Sequence, residues 1–103
     1  MKDAMDPRTA AQKGDAKVLQ RIGRSDPTAL HHADENGWLP LHEAVRAGHV
    51  EAVQIILLNG GNINHLAGSG QSPLSIALEY LGKEHEITNF LRENGGINVH
   101  PEL

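Results

Sequence analysis

The chain has 103 residues, of which 39% are hydrophobic, with seven histidines, three aromatic residues (one each of Trp, Tyr and Phe) and no cysteine. A chain of this length forms one small domain with a thin core, and the lack of cysteine excludes disulfide scaffolds, cysteine-ligated metal sites and thiol nucleophiles. Residues 1–24 carry six basic and three acidic side chains, whereas residues 25–103 carry three basic and ten acidic ones, which disfavours nucleic-acid binding because phosphate contacts need clustered cations.

The sequence contains no predicted membrane span or secretion signal. The longest uninterrupted aliphatic run, Ile55 to Leu58, is far shorter than the roughly 20 residues that a membrane-spanning helix needs. Residues 1–7 lack the apolar segment of a secretion signal. We therefore expect a soluble cytoplasmic protein, with the nucleus as the alternative location.

The first predicted unit covers residues 6–33 and contains two helices. Asp6 followed by Pro7 is typical of a helix start, because the carboxylate caps the first turn and proline fits the first helical position. Gly14 is expected to end this helix, and the next helix follows within two residues. The second helix carries polar residues on the face that a terminal unit exposes: Lys17, Gln20 and Arg21.

The second predicted unit, residues 34–66, opens with a turn signal from Asp34 to Gly37. Pro40 suits the first position of a helix that Gly48 ends. The following helix is apolar around most of its circumference, so we expect it to lie between neighbouring helices. Its apolar residues are Val50, Val53, Ile55, Ile56, Leu57 and Leu58. The Asn-Gly-Gly sequence at residues 59–61 then stops the helix.

The third predicted unit, residues 67–99, follows the same plan. A turn signal spans Gly68 to Gln71, Ser72 and Pro73 begin the first helix, and Gly82 ends it. The second helix ends on polar residues where the preceding unit has leucines: Arg92 and Glu93. We expect both terminal units to expose polar faces, and on this basis we expect a complete, capped chain.

These units are copies of one another with a period of about 33 residues. The second and third share four residues at that offset: Gly37 and Gly70, Pro40 and Pro73, Leu41 and Leu74, Ala44 and Ala77. Two extra residues around positions 80–83 then shift the offset. A unit of this kind cannot bury its apolar surface alone, so the three are expected to stack side by side.

Residues 34–64 resemble the ankyrin-repeat signature, in which an aspartate and a glycine precede Thr-Pro-Leu-His and a helix that ends in Gly-His. Residues 70–98 match it more loosely, and residues 6–33 resemble a degenerate N-terminal cap. The resemblance implies an all-α fold, an ankyrin-repeat solenoid of paired antiparallel helices with β-hairpin-like loops. It predicts a single domain over residues 1–103 with repeats at approximately 6–33, 34–66 and 67–99.

Two residues depart from the family pattern. Leu39 replaces the threonine of the motif in the second repeat, and Ser75 replaces the histidine in the third. Both side chains lack a group that normally joins the hydrogen bonding between repeats. We therefore expect weaker inter-repeat hydrogen bonding than in an ideal repeat, and modest stability.

The resemblance also implies a function, since ankyrin stacks typically bind other proteins through the concave face formed by loop tips and first helices. We predict a non-enzymatic protein–protein interaction module or small adaptor. Carried over by position, the candidate partner-binding residues are Glu35, Asn36, Trp38, Arg46, Gln71, Glu79 and Tyr80. Trp38 is the most informative of them, because tryptophan is enriched in binding hot spots. The alternative is that Trp38 folds back over a neighbouring loop.

A second function hypothesis is a structural or regulatory subunit that self-associates or docks on a larger complex through the ends of the stack. The apolar residues that favour it are Ile97, Val99 and Leu103. We expect a monomer, with weak self-association as the alternative, and another protein as partner rather than a nucleic acid or a membrane.

Catalysis, metal binding and cofactor binding are not predicted. The histidines lack the helical pair with an intervening glutamate that marks a zinc protease, and His42 and His49 occupy structural positions of the ankyrin pattern. The paired carboxylates fall in turns or on solvated helix faces, where nothing apolar would raise a pKa. We therefore assign no catalytic, metal or cofactor-binding residue.

Overall fold

The computed structural model describes residues 6–101. Within this range the chain forms six α-helices and one short 3₁₀ helix, and no strand occurs. In chain order the elements are α1 (Pro7–Lys13), α2 (Ala16–Ser25), the 3₁₀ helix (Pro27–His31), α3 (Pro40–Ala47), α4 (Val50–Leu58), α5 (Pro73–Tyr80) and α6 (Glu86–Glu93). None of these helices is long and apolar enough to cross a membrane. The predicted all-α fold is confirmed.

The helices pair within each repeat and stack between repeats. α1 packs on α2, α3 on α4 and α5 on α6. The first helices form a continuous layer, since α3 packs against both α1 and α5, and α2 packs against α4. Only Gly14 and Asp15 separate α1 from α2, and only Gly48 and His49 separate α3 from α4. Such short connections make the paired helices antiparallel.

One apolar core runs through all three repeats. Its largest fully buried aliphatic side chains are Leu19, Leu30, Leu41, Val45, Val53, Ile56, Ile76, Ile87 and Leu91. Each such side chain stabilises the fold by about 1.5–3 kcal/mol when it leaves water. The predicted burial of α4 holds for most of its length, but Leu58 at its end is 85% exposed.

The loops before α3 and α5 are tight turns of the same design. In the first, the amide of Asp34 donates to the carbonyl of Trp38 at 2.9 Å; in the second, the amide of Ala67 donates to Gln71 at 2.8 Å. The amide of Gly68 donates to the carbonyl of Gly37 at 2.9 Å and joins the two tips. A Cβ atom on Gly68 would lie 1.7 Å from the carbonyl oxygen of Asn36, so this approach requires glycine.

His42 holds the start of α3 and the loop that follows α4. Its Nδ1 accepts from the amide of Leu39 at 2.9 Å, and its Nε2 lies 2.7 Å from the carbonyl oxygen of His65. These partners assign the proton to Nε2, because a carbonyl can only accept. The ring is fully buried, and burial is the main cause that lowers the pKa of His42 below its ordinary value of 6.5.

In the third repeat, Ser72 links the start of the first helix to the segment that follows the second, as His42 does in the second repeat. Its hydroxyl accepts from the amide of Ser75 at 3.2 Å and from the amide of Val99 at 3.0 Å, and it donates to the carbonyl of Ile97. The amide of Ser72 also donates to the carbonyl of Val99 at 2.8 Å. The start of α5 is therefore tied to the segment that follows α6.

Further side chains bond across repeat boundaries. His49 reaches the carbonyl of Gln12 at 2.9 Å, and His31 reaches the carbonyl of Asn59 at the same distance. Asn64 donates to the carbonyl of Gly95 and accepts from the amide of Ile97. Among residues 6–101 no buried side-chain nitrogen or oxygen lacks a partner. Hydrogen bonds therefore join the repeats at both boundaries, and the expectation that they are weaker than in an ideal repeat stays a prediction.

The second helices are spaced unevenly. α2 approaches α4 closely because Gly23 is buried at the contact, where a Cβ atom would lie 2.7 Å from the side chain of Asn59. α6 does not pack closely on α4. The connection between α5 and α6 runs from Leu81 to His85, which is longer than the two-residue connections of the other pairs.

We predict that Ser72→Ala lowers the free energy of unfolding by about 1–3 kcal/mol, since it removes a helix cap and leaves the carbonyl of Ile97 without its hydroxyl partner. Urea denaturation followed by circular dichroism measures the loss. Ser69→Ala is the matched control, because within residues 6–101 that exposed hydroxyl bonds to the side chain of Gln71 alone. Equal stability of the two variants would contradict the role given to Ser72.

We also predict that the protein loses stability as the pH falls through about 6.5. The unfolded chain has an ordinary His42 pKa near 6.5 and the folded chain a lower one, so below 6.5 the unfolded state binds more protons. The contribution of neutral His42 to the free energy of unfolding is therefore complete above pH 6.5 and decreases on acidification. Urea midpoints measured between roughly pH 8 and pH 5.5 report this slope.

His42→Gln should be less stable at the upper end of this range and less sensitive to pH. His32→Gln, at an exposed histidine of the same chain, should keep the wild-type slope. An unchanged slope in His42→Gln would show that His42 does not cause the pH dependence.

Candidate partner-binding surface

Trp38, at the end of the first loop, and Arg46, in the last turn of α3, form a stacked pair. The guanidinium carbon of Arg46 lies 5.2 Å from the centroid of the indole ring, which is within the range of a cation–π contact. The imidazole of His42 contacts the same ring edge-on, with 5.7 Å between centroids. Trp38 is half-buried and packs against the core. The ring thus packs against the fold and keeps an exposed portion, and its role in partner binding stays a prediction.

Arg46 is fixed from its other side by a carboxylate. Its Nη2 donates to Oε1 of Glu43 at 2.7 Å, and Glu43 is only 4% exposed. The Arg46 side chain keeps 43% of its surface exposed. The cation therefore compensates a buried anion and still faces solvent. Glu43 is not among the residues predicted for this surface, although the spacing of three residues on one helix is the signal that pairs it with Arg46.

Gln71 lies at the tip of the second loop and is held by three side chains. It accepts from the hydroxyl of Ser69 at 3.0 Å, and its amide nitrogen donates to the hydroxyl of Ser75 at 3.2 Å and to Oε1 of Glu79 at 2.7 Å. Gln71 and Glu79, both predicted from the family pattern, are thus in direct contact. Ser69 and Ser75 complete the network and were not predicted as site residues.

The carboxylate of Asp34 stabilises the first loop by accepting hydrogen bonds from its backbone. Its Oδ1 accepts from the amides of Asn36 at 2.8 Å and Trp38 at 2.9 Å, and Arg8 lies 3.6 Å from its second oxygen. The bond from the Trp38 amide is the main cause that holds the pKa of Asp34 below its ordinary value. Asp34 therefore stays ionised and serves the loop, which places Trp38 beside α3.

The remaining predicted residues lie on the surface without such fixation. Glu35 and Asn36 are exposed at the first tip. Tyr80 is 50% exposed at the end of α5. Within residues 6–101 no hydrogen bond or ring contact joins Tyr80 to Trp38. The structure thus forms two contact pairs, Trp38 with Arg46 and Gln71 with Glu79, and leaves three predicted residues separate.

Several histidine side chains lie within hydrogen-bonding distance of backbone carbonyl oxygens. In the described part of the chain no three histidine, aspartate or glutamate side chains come together as metal ligands would. His31, His42 and His49 each face a backbone carbonyl instead.

Known proteins resemble this chain over most of its length. The family model described as ankyrin repeats in three copies matches residues 8–102. The chain is 34% identical to the human transient receptor potential cation channel subfamily A member 1 over 90% of its own length and 8% of that protein. It is 37% identical to the 2-5A-dependent ribonuclease of Mus musculus over 66% of its length and 9% of that protein.

A solved structure, the human ASB11 ankyrin repeat domain, superposes with a TM-score of 0.78 at 26% identity and covers 90% of this chain and 41% of that one. This chain spans less than a tenth of the two curated relatives, so the likeness concerns their repeats. Ankyrin repeats are generally protein-interaction modules, and the fold is typically non-catalytic. With helix pairs, loop tips and sequence pattern all in agreement, the chain belongs to the ankyrin-repeat family.

Proposed function

We propose that this chain is a non-enzymatic interaction module or small adaptor, and that it binds a partner protein through its tip surface. The tip surface comprises Glu35, Asn36, Trp38, Arg46, Gln71, Glu79 and Tyr80. The observation that supports this most strongly is the stacked Trp38–Arg46 pair, since tryptophan, tyrosine and arginine contribute most of the energy in protein interfaces. We also propose a cytoplasmic location, with the nucleus as the alternative.

The tip surface suits binding because several of its side chains are already ordered. Trp38 is held between His42 and Arg46, and Gln71 bonds to Glu79. A side chain that is ordered before association loses little conformational entropy when a partner arrives, and this loss commonly amounts to about 0.5–1.5 kcal/mol per flexible side chain. The open surface also offers a partner direct access to the exposed part of Trp38.

Self-association through the C-terminal end of the stack is the second candidate. Ile97 is 59% exposed and Val99 is 37% exposed in the segment after α6. Leu103, the third residue predicted for this surface, lies outside the described residues. Light scattering at increasing concentration distinguishes the candidates: a constant monomer mass favours the interaction module, and a rising mass favours self-association.

We predict that Arg46→Ala and Trp38→Ala each weaken binding to a partner isolated with the wild-type chain by about tenfold or more. Arg46→Ala removes an exposed cation and the support of the indole ring. Titration calorimetry with the purified partner measures the affinity, and thermal unfolding shows whether Trp38→Ala remains folded.

Lys17→Ala on the outer face of α2 is the control and should bind like the wild type, because it lies in the terminal repeat away from both loop tips. A partner that binds wild type, Arg46→Ala and Trp38→Ala with equal affinity would place the binding surface elsewhere on the molecule.

A further inference from the structure

A groove separates the second helices of the second and third repeats. Its apolar end has a volume of about 490 Å³ and is lined by Gln54, Leu57, Leu58, Gly61, Ile63, Phe90 and Asn94. A second part of about 450 Å³ continues from it and is lined by Val50, Gln54, Glu84, Glu86, Asn89, Phe90 and Glu93. Gln54 and Phe90 belong to both parts, so the two form one α4–α6 groove.

The groove arises from the lengthened connection before α6. The five residues Leu81–His85 replace the two-residue connections of the other repeats, and the hydroxyl of Thr88 fixes this segment by donating to the carbonyl of Gly82 at 2.7 Å. Gly23 allows α2 to pack closely on α4, whereas α6 does not pack closely on α4. The opening is therefore specific to the third repeat of this chain.

The groove is apolar at one end and acidic at the other. α4 contributes Leu58, which is 85% exposed, and α6 presents Glu86, Phe90 and Glu93 at a spacing of three to four residues, which is one face of a helix. All three glutamates of the groove are exposed, and none of its lining residues is basic. Within residues 6–101 these glutamates have no ion-pair partner.

We propose that the α4–α6 groove binds an amphipathic, basic helix of a partner protein. An apolar side chain of such a helix would cover Leu58 and Phe90, and lysines or arginines one turn away would face Glu86 and Glu93. α4 has nine residues and extends about 13.5 Å, which matches about two and a half turns of a bound helix.

A second copy of this chain fits the groove less well than such a partner. Among the helices of residues 6–101, the outer face of α2 carries the most exposed basic side chains, with Lys17, Arg21 and Arg24 beside Gln20 at the surface. That face supplies cations but no exposed leucine, valine or phenylalanine to cover Leu58. The charge of the groove and its apolar end together favour a partner that offers both features on one helix.

The groove and the tip surface share no residue. One is formed by the second helices, and the other by the loop tips and first helices. The chain could therefore hold two segments at once, as an adaptor does, and a failure of one surface leaves the other intact.

The test uses fluorescein-labelled peptides of roughly 14 residues that form amphipathic helices. The first carries leucines on one face and lysines beside them, the second has glutamine for every lysine, and the third has serine for every leucine. We expect saturable binding of the first peptide with a Kd of about 10–100 μM, and at least tenfold weaker binding of the other two. Added salt should weaken binding of the first peptide.

Two substitutions in the full chain locate the binding. Leu58→Ser and Glu93→Gln should each weaken binding of the first peptide by about threefold to tenfold. Leu58 is exposed, and a carboxylate in the last turn opposes the helix dipole, so neither change is expected to unfold the protein. Glu51→Gln removes the same charge from an exposed position of α4 outside the groove lining and should bind like the wild type.

Nitrogen-edited NMR spectra should show peptide-induced shifts at Gln54, Leu58 and Phe90 and none at the indole of Trp38. Equal affinity for the lysine and glutamine peptides, or no saturable binding below about 1 mM, would overturn the proposal. Shifts confined to Trp38 would also overturn it, while supporting the tip surface. A wild-type dimer that Leu58→Ser converts to monomer would assign the groove to a second copy and overturn it too.

Discussion

Burial of apolar side chains between neighbouring repeats is the constraint on which the rest of this structure depends. No helix pair here encloses its own core, since α3 packs against α1, α4 and α5 together. Stacking brings irregular loops next to buried surface, where their backbone groups need partners. His42, Ser72 and Asn64 supply those partners. The polar bonds of the loops therefore follow from the stacking, and the loop tips acquire defined positions because of them.

Much of the fold could be predicted from the sequence, because its signals are local. Pro7, Pro40 and Pro73 occupy the first helical positions that the sequence predicts, and Gly14 and Gly48 end helices with positive φ angles of 72° and 82°. The bonding around the missing threonine and histidine could not be predicted from the motif. A motif shows which bond an ideal residue makes, but it does not show that Ser72 alone or His42 alone can satisfy the nearby backbone.

The candidate sites could be predicted only in part. Their positions in the repeat predicted that Trp38 and Arg46 lie on the same face of the stack. The burial of the Glu43 carboxylate, in contrast, depends on how α3 packs against its neighbours. The α4–α6 groove was visible only as two extra residues near position 82. The consequence of such an insertion depends on where the following helix settles, which is a matter of three-dimensional packing rather than of local sequence.

The tip surface can present Trp38 and Gln71 together only if the two loops are joined. The bond from the amide of Gly68 to the carbonyl of Gly37 is the direct link. Amide hydrogen exchange at Gly68, measured by NMR, therefore tests most directly whether the two loops are joined into one preformed surface. We expect protection like that of amides in α3 and α5. Exchange at the rate of an open loop would show that the tips move independently and would contradict a preformed surface.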